Sequence, residues 1–132
     1  MMVYSITREP EIGLFTALAR IDGNRRIKLI IDTGATVTTI DSNVLYMFGY
    51  RPTDSIGIET VETASGIIET YLYELSEFHL FGITKPKFVI QAHDFLEYGI
   101  VSDYNRLLGM DFFEGYKFCI DTETNELTII KK

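Results

Sequence analysis

Most of this chain alternates between apolar and polar residues with the period of a β-strand. Residues 14–21 and 25–31 are two such runs, and Asp22-Gly23-Asn24 between them is typical of a hairpin turn. Further runs follow, with turn residues after roughly every ten positions. This pattern predicts an all-β fold, either a small closed barrel or a sandwich, with one or two short helices.

The remaining elements follow from the same pattern and from turn and capping residues. Asp41-Ser42 predicts the start of a helix over residues 43–48, and residues 110–113 predict a helical turn. Residues 94–105 predict a loop with some helix. The other predicted strands are 37–40, 56–62, 67–75, 78–81, 87–91, 107–108, 116–120 and 127–130, with a turn region at 82–86.

Size and charge limit the classes of protein to consider. A chain of 132 residues, 46% of them hydrophobic, is enough for one core, so we expect one domain over residues 1–132. The formal net charge of −7 repels phosphate backbones, and we expect no nucleic-acid partner.

Cysteine, histidine and hydropathy patterns favour a soluble cytoplasmic protein without a cofactor. Cys119 is the single cysteine, so no intrachain disulfide can form, and we expect this small side chain to be buried. His79 and His93 have no metal-ligand spacing, and we expect no metal. The N-terminus lacks the apolar stretch of a signal peptide, and no apolar run reaches the ~20 residues of a membrane span.

Asp32 is the strongest candidate for chemistry. It follows two isoleucines at the end of a predicted strand, so its carboxylate lies in apolar surroundings and requires partners. Gly34 permits a tight turn that brings backbone N–H groups to the carboxylate, and Thr33 supplies a hydroxyl. Ala35 is small enough to leave space above the aspartate. The loop therefore predicts a carboxylate at the floor of a cleft.

Two segments together, Ile30-Ile31-Asp32-Thr33-Gly34-Ala35 and Leu107-Leu108-Gly109, resemble the retropepsin-like (retroviral-type) aspartic peptidases. In that family the apolar-apolar-Gly segment crosses behind the catalytic loop and leads into a short helix. The resemblance covers about residues 13–130 and implies the small closed barrel of the acid-protease type. It also implies that the hairpin between the two segments is the family's flap, with Thr63, Ala64, Ser65 and Gly66 at its tip.

The number of catalytic loops predicts the oligomeric state. An aspartic peptidase needs two aspartates around one water, one acting as base and the other, protonated, polarising the scissile carbonyl. The chain has one Asp-Thr-Gly, because Asp121-Thr122-Glu123 lacks the glycine and Asp111 is better interpreted as support for a helical turn. The second carboxylate must then come from Asp32 of another copy across a two-fold axis.

The leading hypothesis is a homodimeric aspartic endopeptidase that binds an extended peptide as an added strand. One alternative is a non-catalytic dimeric peptide-binding module of the same fold. The other is a small β-barrel for an apolar ligand, with Asp32 as an ordinary turn residue. The predicted site comprises Asp32 as catalytic residue, Thr33, Gly34 and Ala35 as loop support, residues 63–66 as flap, Leu107, Leu108 and Gly109 behind the loop, and apolar pocket walls near Ala35, Ile67 and Leu107.

Overall fold

The computed structural model describes residues 1–64, 66–95 and 104–132. Nearly all regular structure in these ranges is β-strand. One short α-helix and two 3-10 helices, Pro52–Asp54 and Met110–Phe113, complete the described elements. The elements are β1 (Met2–Ser5), β2 (Thr7–Arg8), β3 (Phe15–Ile21), β4 (Arg25–Ile31), β5 (Thr39–Asp41), α1 (Ser42–Met47), β6 (Gly57–Thr63), β7 (Gly66–Leu80), β8 (Ile83–His93), β9 (Arg106–Leu108), β10 (Tyr116–Asp121) and β11 (Glu126–Lys131).

The described strands form two sheets. The larger sheet has the order β2-β3-β4-β9-β5-β8-β7-β6, and an additional pairing of β3 with β7 closes it into a ring. The smaller sheet, which we call the terminal sheet, has the order β1-β11-β10 and joins the two ends of the chain. The predicted all-β fold class is confirmed.

The core lies inside the ring because each strand turns one face inward. In β4, Ile27, Leu29 and Ile31 are buried, whereas the residues between them are half-buried. Phe78 of β7 and Phe112 of the second 3-10 helix meet edge to face in this core, with ring centroids 5.5 Å apart. Burial of such large apolar side chains is the main term that stabilises a domain of this size.

Several local predictions are confirmed. The β3–β4 hairpin turns through Asp22 and Gly23, both with positive φ. Helix α1 begins after Asp41, whose carboxylate accepts a hydrogen bond from the backbone N–H of Asn43. The strands predicted at 116–120 and 127–130 pair as β10 and β11.

The prediction of separate strands at 67–75 and 78–81 was wrong, because β7 runs without a break from Gly66 to Leu80. Ser76 and Glu77 are polar and exposed, but Glu77 still lies opposite Pro86 of β8. The turn is confined to Phe81 and Gly82, and residues 83–86 already belong to β8. Pro86 is tolerated because β8 has only β7 beside it at that point in the described sheet.

Three further expectations need correction. Cys119 is exposed rather than buried, because the inward positions of β10 are taken by its neighbours Phe118 and Ile120. Strand β5 begins at Thr39 instead of 37, since Thr38 is engaged in the candidate site. The N-terminal residues form two strands that the pattern did not predict.

The predicted loop at 94–105 falls mostly on residues 96–103, outside the described residues. In the described part of the chain, no helix combines the length and the apolar character that crossing a membrane requires.

Candidate active site

Asp32 is the first residue after β4, where the chain leaves the sheet. Its backbone N–H donates to the carbonyl oxygen of Leu108 at 3.1 Å, and its own carbonyl oxygen accepts from the N–H of Ala35 at 3.1 Å. Its Oδ1 accepts a hydrogen bond from the N–H of Gly34 at 2.9 Å. The side chain is half-buried, so the carboxylate is held by its own loop and stays partly exposed.

Gly34 has the role that the sequence predicts, because its backbone N–H reaches the carboxylate. A Cβ at this position would lie 3.3 Å from Asp32 Oδ1, which is closer than ordinary contact. Thr33 and Gly34 are exposed and Ala35 is half-buried. The loop therefore presents its polar groups on the surface of this single chain.

The segment Leu107-Leu108-Gly109 crosses beside this loop, as the sequence predicts. Strand β9 lies between β4, to which it is parallel, and β5, to which it is antiparallel. A Cβ on Gly109 would lie 2.5 Å from the carbonyl carbon of Val37 and 2.7 Å from the backbone nitrogen of Thr38. Only glycine fits this crossing without a shift of backbone, so Gly109 determines how closely the two segments approach.

Thr38 and Asp111 form a hydrogen-bonded pair that holds the two segments together where they cross. The hydroxyl of Thr38, a buried residue, donates to Asp111 Oδ1 at 2.7 Å and accepts from the backbone N–H of Gly109 at 3.1 Å. Asp111 also accepts from the N–H groups of Thr38 and Phe112. The expected support of the helical turn by Asp111 is confirmed. The sequence did not single out Thr38, because it is one of three threonines within residues 36–39.

The other Asp-Thr pair in the sequence belongs to a turn. Asp121 Oδ1 accepts from the backbone N–H groups of Glu123 and Thr124. These hydrogen bonds, that from Glu123 first, hold the pKa of Asp121 below its usual value. Its carboxylate serves the β10–β11 hairpin.

The predicted flap is a hairpin of β6 and the first half of β7, which we call the flap hairpin. Its register closes at Thr63 opposite Gly66, and Gly66 has a φ of 123° that favours glycine. Ala64 at the tip is exposed. Ser65, the fourth predicted tip residue, lies outside the described residues.

One face of the larger sheet leads from the Asp32 loop to the base of the flap hairpin. Alternation along β4 places Asp32 on the side of Ile30, opposite the buried Leu29 and Ile31. Residues directly opposite in paired strands share a face. The residues on this face, all half-buried, are Ile30, Leu107, Thr39, Gln91 and Leu72, on β4, β9, β5, β8 and β7.

The sequence predicted that Ile67 forms a pocket wall, but Ile67 does not lie on this face. It lies opposite Glu62 in the flap hairpin and is 72% exposed. Glu59 and Thr70 lie opposite each other on the inner face of the flap hairpin, where Thr70 is buried, whereas Ile67 lies on its outer face. Leu107, in contrast, is on the predicted side.

The single chain does not enclose its aspartate. Asp32 does not line any of five cavities of about 280 to 530 Å³ among the described residues. Within the same residues no group of three or more His, Cys, Asp or Glu side chains is arranged to hold a metal ion. The geometry is that of a half-buried carboxylate on a hydrogen-bonded loop, beside an open face.

Comparison with solved structures identifies the fold as that of the retropepsins. A retropepsin-like aspartic protease from Rickettsia conorii superposes with a TM-score of 0.66 at 22% identity, over 97% of this chain and 89% of that chain. The EIAV protease in complex with the inhibitor HBY-793 superposes with a TM-score of 0.59 at 17% identity, over 82% and 92% respectively. These two likenesses show the retropepsin fold, which in this chain carries an Asp-Thr-Gly loop at residues 32–34.

Comparison with protein families gives the particular family. Residues 17–115 match the family described as gag-polyprotein putative aspartyl protease. The chain belongs to this family. A comparison with curated proteins finds no match.

Proposed function

We propose that this chain is a homodimeric aspartic endopeptidase whose two Asp32 carboxylates, one from each subunit, activate a single water. The observation that carries the proposal is the Asp32 loop itself. Asp32 is half-buried, and its carboxylate accepts a hydrogen bond from Gly34 N–H. Its backbone N–H donates to the carbonyl oxygen of Leu108 in the crossing segment. A carboxylate held in this way meets the need of a catalytic group for a fixed position.

The chemistry requires the two carboxyl groups in different protonation states. The ionised Asp32 takes a proton from the water while the water oxygen attacks the scissile carbonyl carbon. The protonated Asp32 of the second copy donates a hydrogen bond to the carbonyl oxygen, where negative charge develops. Collapse of the tetrahedral intermediate then breaks the C–N bond, and a carboxyl group gives its proton to the leaving amine.

Substrate binding is assigned to the face that runs from Ile30 to Leu72 and to the flap hairpin. An extended peptide between them gains main-chain hydrogen bonds as an added strand, and side-chain pockets provide specificity. Leu107 and Thr39 lie next to the catalytic loop on this face. They are therefore placed to contact side chains close to the scissile bond.

The terminal sheet is the surface that we assign to dimerisation. Its outer face carries Val3 and Ile130, which are 50% and 40% exposed. The other residues on this face include the exposed Cys119 and the charged Lys117, Asp121 and Glu126. The two chain ends pair in this small sheet and expose apolar side chains. Such a patch can bind the same patch of a second copy in an isologous contact. In the catalytic loop, the exposed hydroxyl of Thr33 is available to the second copy.

The test is cleavage of a mixed peptide library by the wild type and by Asp32→Asn, with the molecular mass measured by analytical ultracentrifugation. Asn keeps the shape of the side chain but cannot act as a base. We expect a dimeric wild type that cleaves peptides and a dimeric variant whose rate is at least about 100-fold lower, as for the loss of a general base.

A dimer that binds peptides without cleaving them would instead assign the chain to the non-catalytic alternative. Equal cleavage by both proteins would assign the activity to another residue. A strict monomer with undiminished activity would contradict the shared site.

A further inference from the structure

We propose that Glu59 and Gln91 form a pocket of the cleft that selects a lysine or arginine side chain close to the scissile bond. The inference rests on the proposed peptidase function and adds the class of peptide that the site accepts. It concerns residues that the catalytic mechanism does not use.

The pocket follows from the register of the sheet. Gln91 of β8 lies opposite Thr39 of β5, and Thr39 lies opposite Leu107 beside the catalytic loop. These side chains share the face on which Asp32 projects. Gln91 is thus two strands from Leu107, about 10 Å at the usual strand spacing.

Glu59 reaches the same face from the flap hairpin. Gln91 Nε2 donates a hydrogen bond to Glu59 Oε2 at 2.9 Å, across 32 positions of sequence. Thr70, directly opposite Glu59, is buried and its hydroxyl donates to the carbonyl oxygen of Glu59. These contacts fix the inner face of the flap hairpin and place the Glu59 carboxylate over the sheet.

The charge of this carboxylate is not neutralised within the described residues. The amide of Gln91 orients Glu59 but carries no charge, and no Lys or Arg in the described ranges lies within 4 Å of Glu59. The sequence has no Lys or Arg between positions 52 and 84. The acidic residues of that stretch are Asp54, Glu59, Glu62, Glu69, Glu74 and Glu77.

A basic side chain complements both parts of this pocket. Its cationic end donates a charge-assisted hydrogen bond to Glu59, and its aliphatic stem packs on Leu72, which lies directly opposite Gln91. The two-fold symmetry of the proposed dimer repeats the pocket on the other side of the scissile bond. The preference for Lys or Arg is therefore expected on both sides.

The experiment compares kcat/KM for peptides in which the positions on either side of the cleaved bond carry Lys, norleucine or Glu. The wild-type dimer is expected to prefer Lys over norleucine, which has the same four-carbon chain without the ammonium group, by about two- to fivefold per pocket, the range of partly exposed ion pairs. Glu59→Gln should remove the preference, and Glu59→Lys should reverse it toward Glu. Raising the salt concentration should weaken the wild-type preference.

Glu69→Lys is the matched control. It makes the same charge change in the same hairpin, but Glu69 lies opposite Thr60 on the outer face, so the wild-type preference should persist. Retention of the Lys preference in Glu59→Lys, or a wild type that cleaves all three peptides equally, would overturn the pocket and leave the peptidase proposal intact. A wild type that cleaves no peptide would overturn the proposed function and the pocket together.

Discussion

At the scale of single residues, Gly109 sets the distance between the two segments of the candidate site. Its φ of −91° is accessible to any residue, so the requirement for glycine is one of space and not of backbone conformation. The backbone of Val37 and Thr38 occupies the position where a Cβ would be. Since backbone atoms cannot move away as a side chain can, any larger residue must displace the loop.

Gly109→Ala is therefore expected to destabilise the protein by about 1–3 kcal/mol, as over-packing of a tight interior does. It should also lower activity, because Asp32 is bonded to the residue before Gly109. Urea unfolding and peptide cleavage measure the two effects. Gly57→Ala is the control, since a Cβ there meets Leu72 at an ordinary 3.6 Å. Equal stability of both variants would contradict the spatial requirement.

The sequence identified some residues of the site and missed others for a physical reason. The motif at 32–35 and the Leu-Leu-Gly segment are local patterns, so they are visible in the sequence. The bonds of Thr38 to Asp111 join positions 73 apart, and no local pattern reports such a pair. The contact of Glu59 with Gln91 was missed in the same way.

At the scale of elements, Asp22 connects the β3–β4 turn to two other parts of the fold. Its carboxylate accepts hydrogen bonds from the hydroxyls of Tyr50, after α1, and Ser76, in β7. Burial raises the pKa of Asp22, but the hydrogen bonds from Ser76 and Tyr50 outweigh it, and its pKa lies below the usual value. Burial and the charge of Asp22 raise the pKa of Tyr50.

The hydrogen bonds of Asp22 predict that the free energy of unfolding depends on pH. A carboxyl whose pKa is lower in the folded state stabilises the fold above its unfolded pKa of about 3.9, and the contribution disappears as the pH falls through the folded pKa. The stability difference between the wild type and Asp22→Asn should thus shrink between pH 6 and pH 3. Thermal unfolding at both pH values measures it, and Ser76→Ala should weaken the same dependence. A constant difference would contradict this role of the Asp22 hydrogen bonds.

The prediction of elements succeeded where two alternating runs are joined by a short turn with typical turn residues. The β3–β4 hairpin has both, as does the β10–β11 hairpin. It failed for β7, since polar residues such as Glu77 suggested an end while pairing with β8 continued the strand. It also failed for β1, whose partner β11 lies at the opposite end of the chain.

At the scale of the whole molecule, the terminal sheet predicts how the dimer is held together. Val3→Glu should shift the protein toward monomer and reduce activity in parallel, because it replaces an exposed apolar side chain with a charged one on the outer face that we assign to the interface. Sedimentation at several concentrations measures the shift. Met47→Glu, which changes a side chain 74% exposed at the end of α1, is the control. An unchanged dimer in Val3→Glu would place the interface elsewhere.

The sequence predicted the fold class and, by counting catalytic loops, the need for a second copy. It could not predict the ring closure between β3 and β7, because Arg20 and Ile21 give no signal of their partners His79 and Phe78. The two-fold site stays a prediction that neither the fold nor the family tests.

The most direct test of the shared site is the activity of mixed dimers. Wild type and Asp32→Asn are combined at varying ratios, allowed to exchange subunits at constant total concentration, and assayed for peptide cleavage. If both Asp32 carboxylates are required, only wild-type homodimers are active, and the rate falls with the square of the wild-type fraction. A rate that falls in direct proportion to that fraction would show that each subunit works alone and would contradict the shared site.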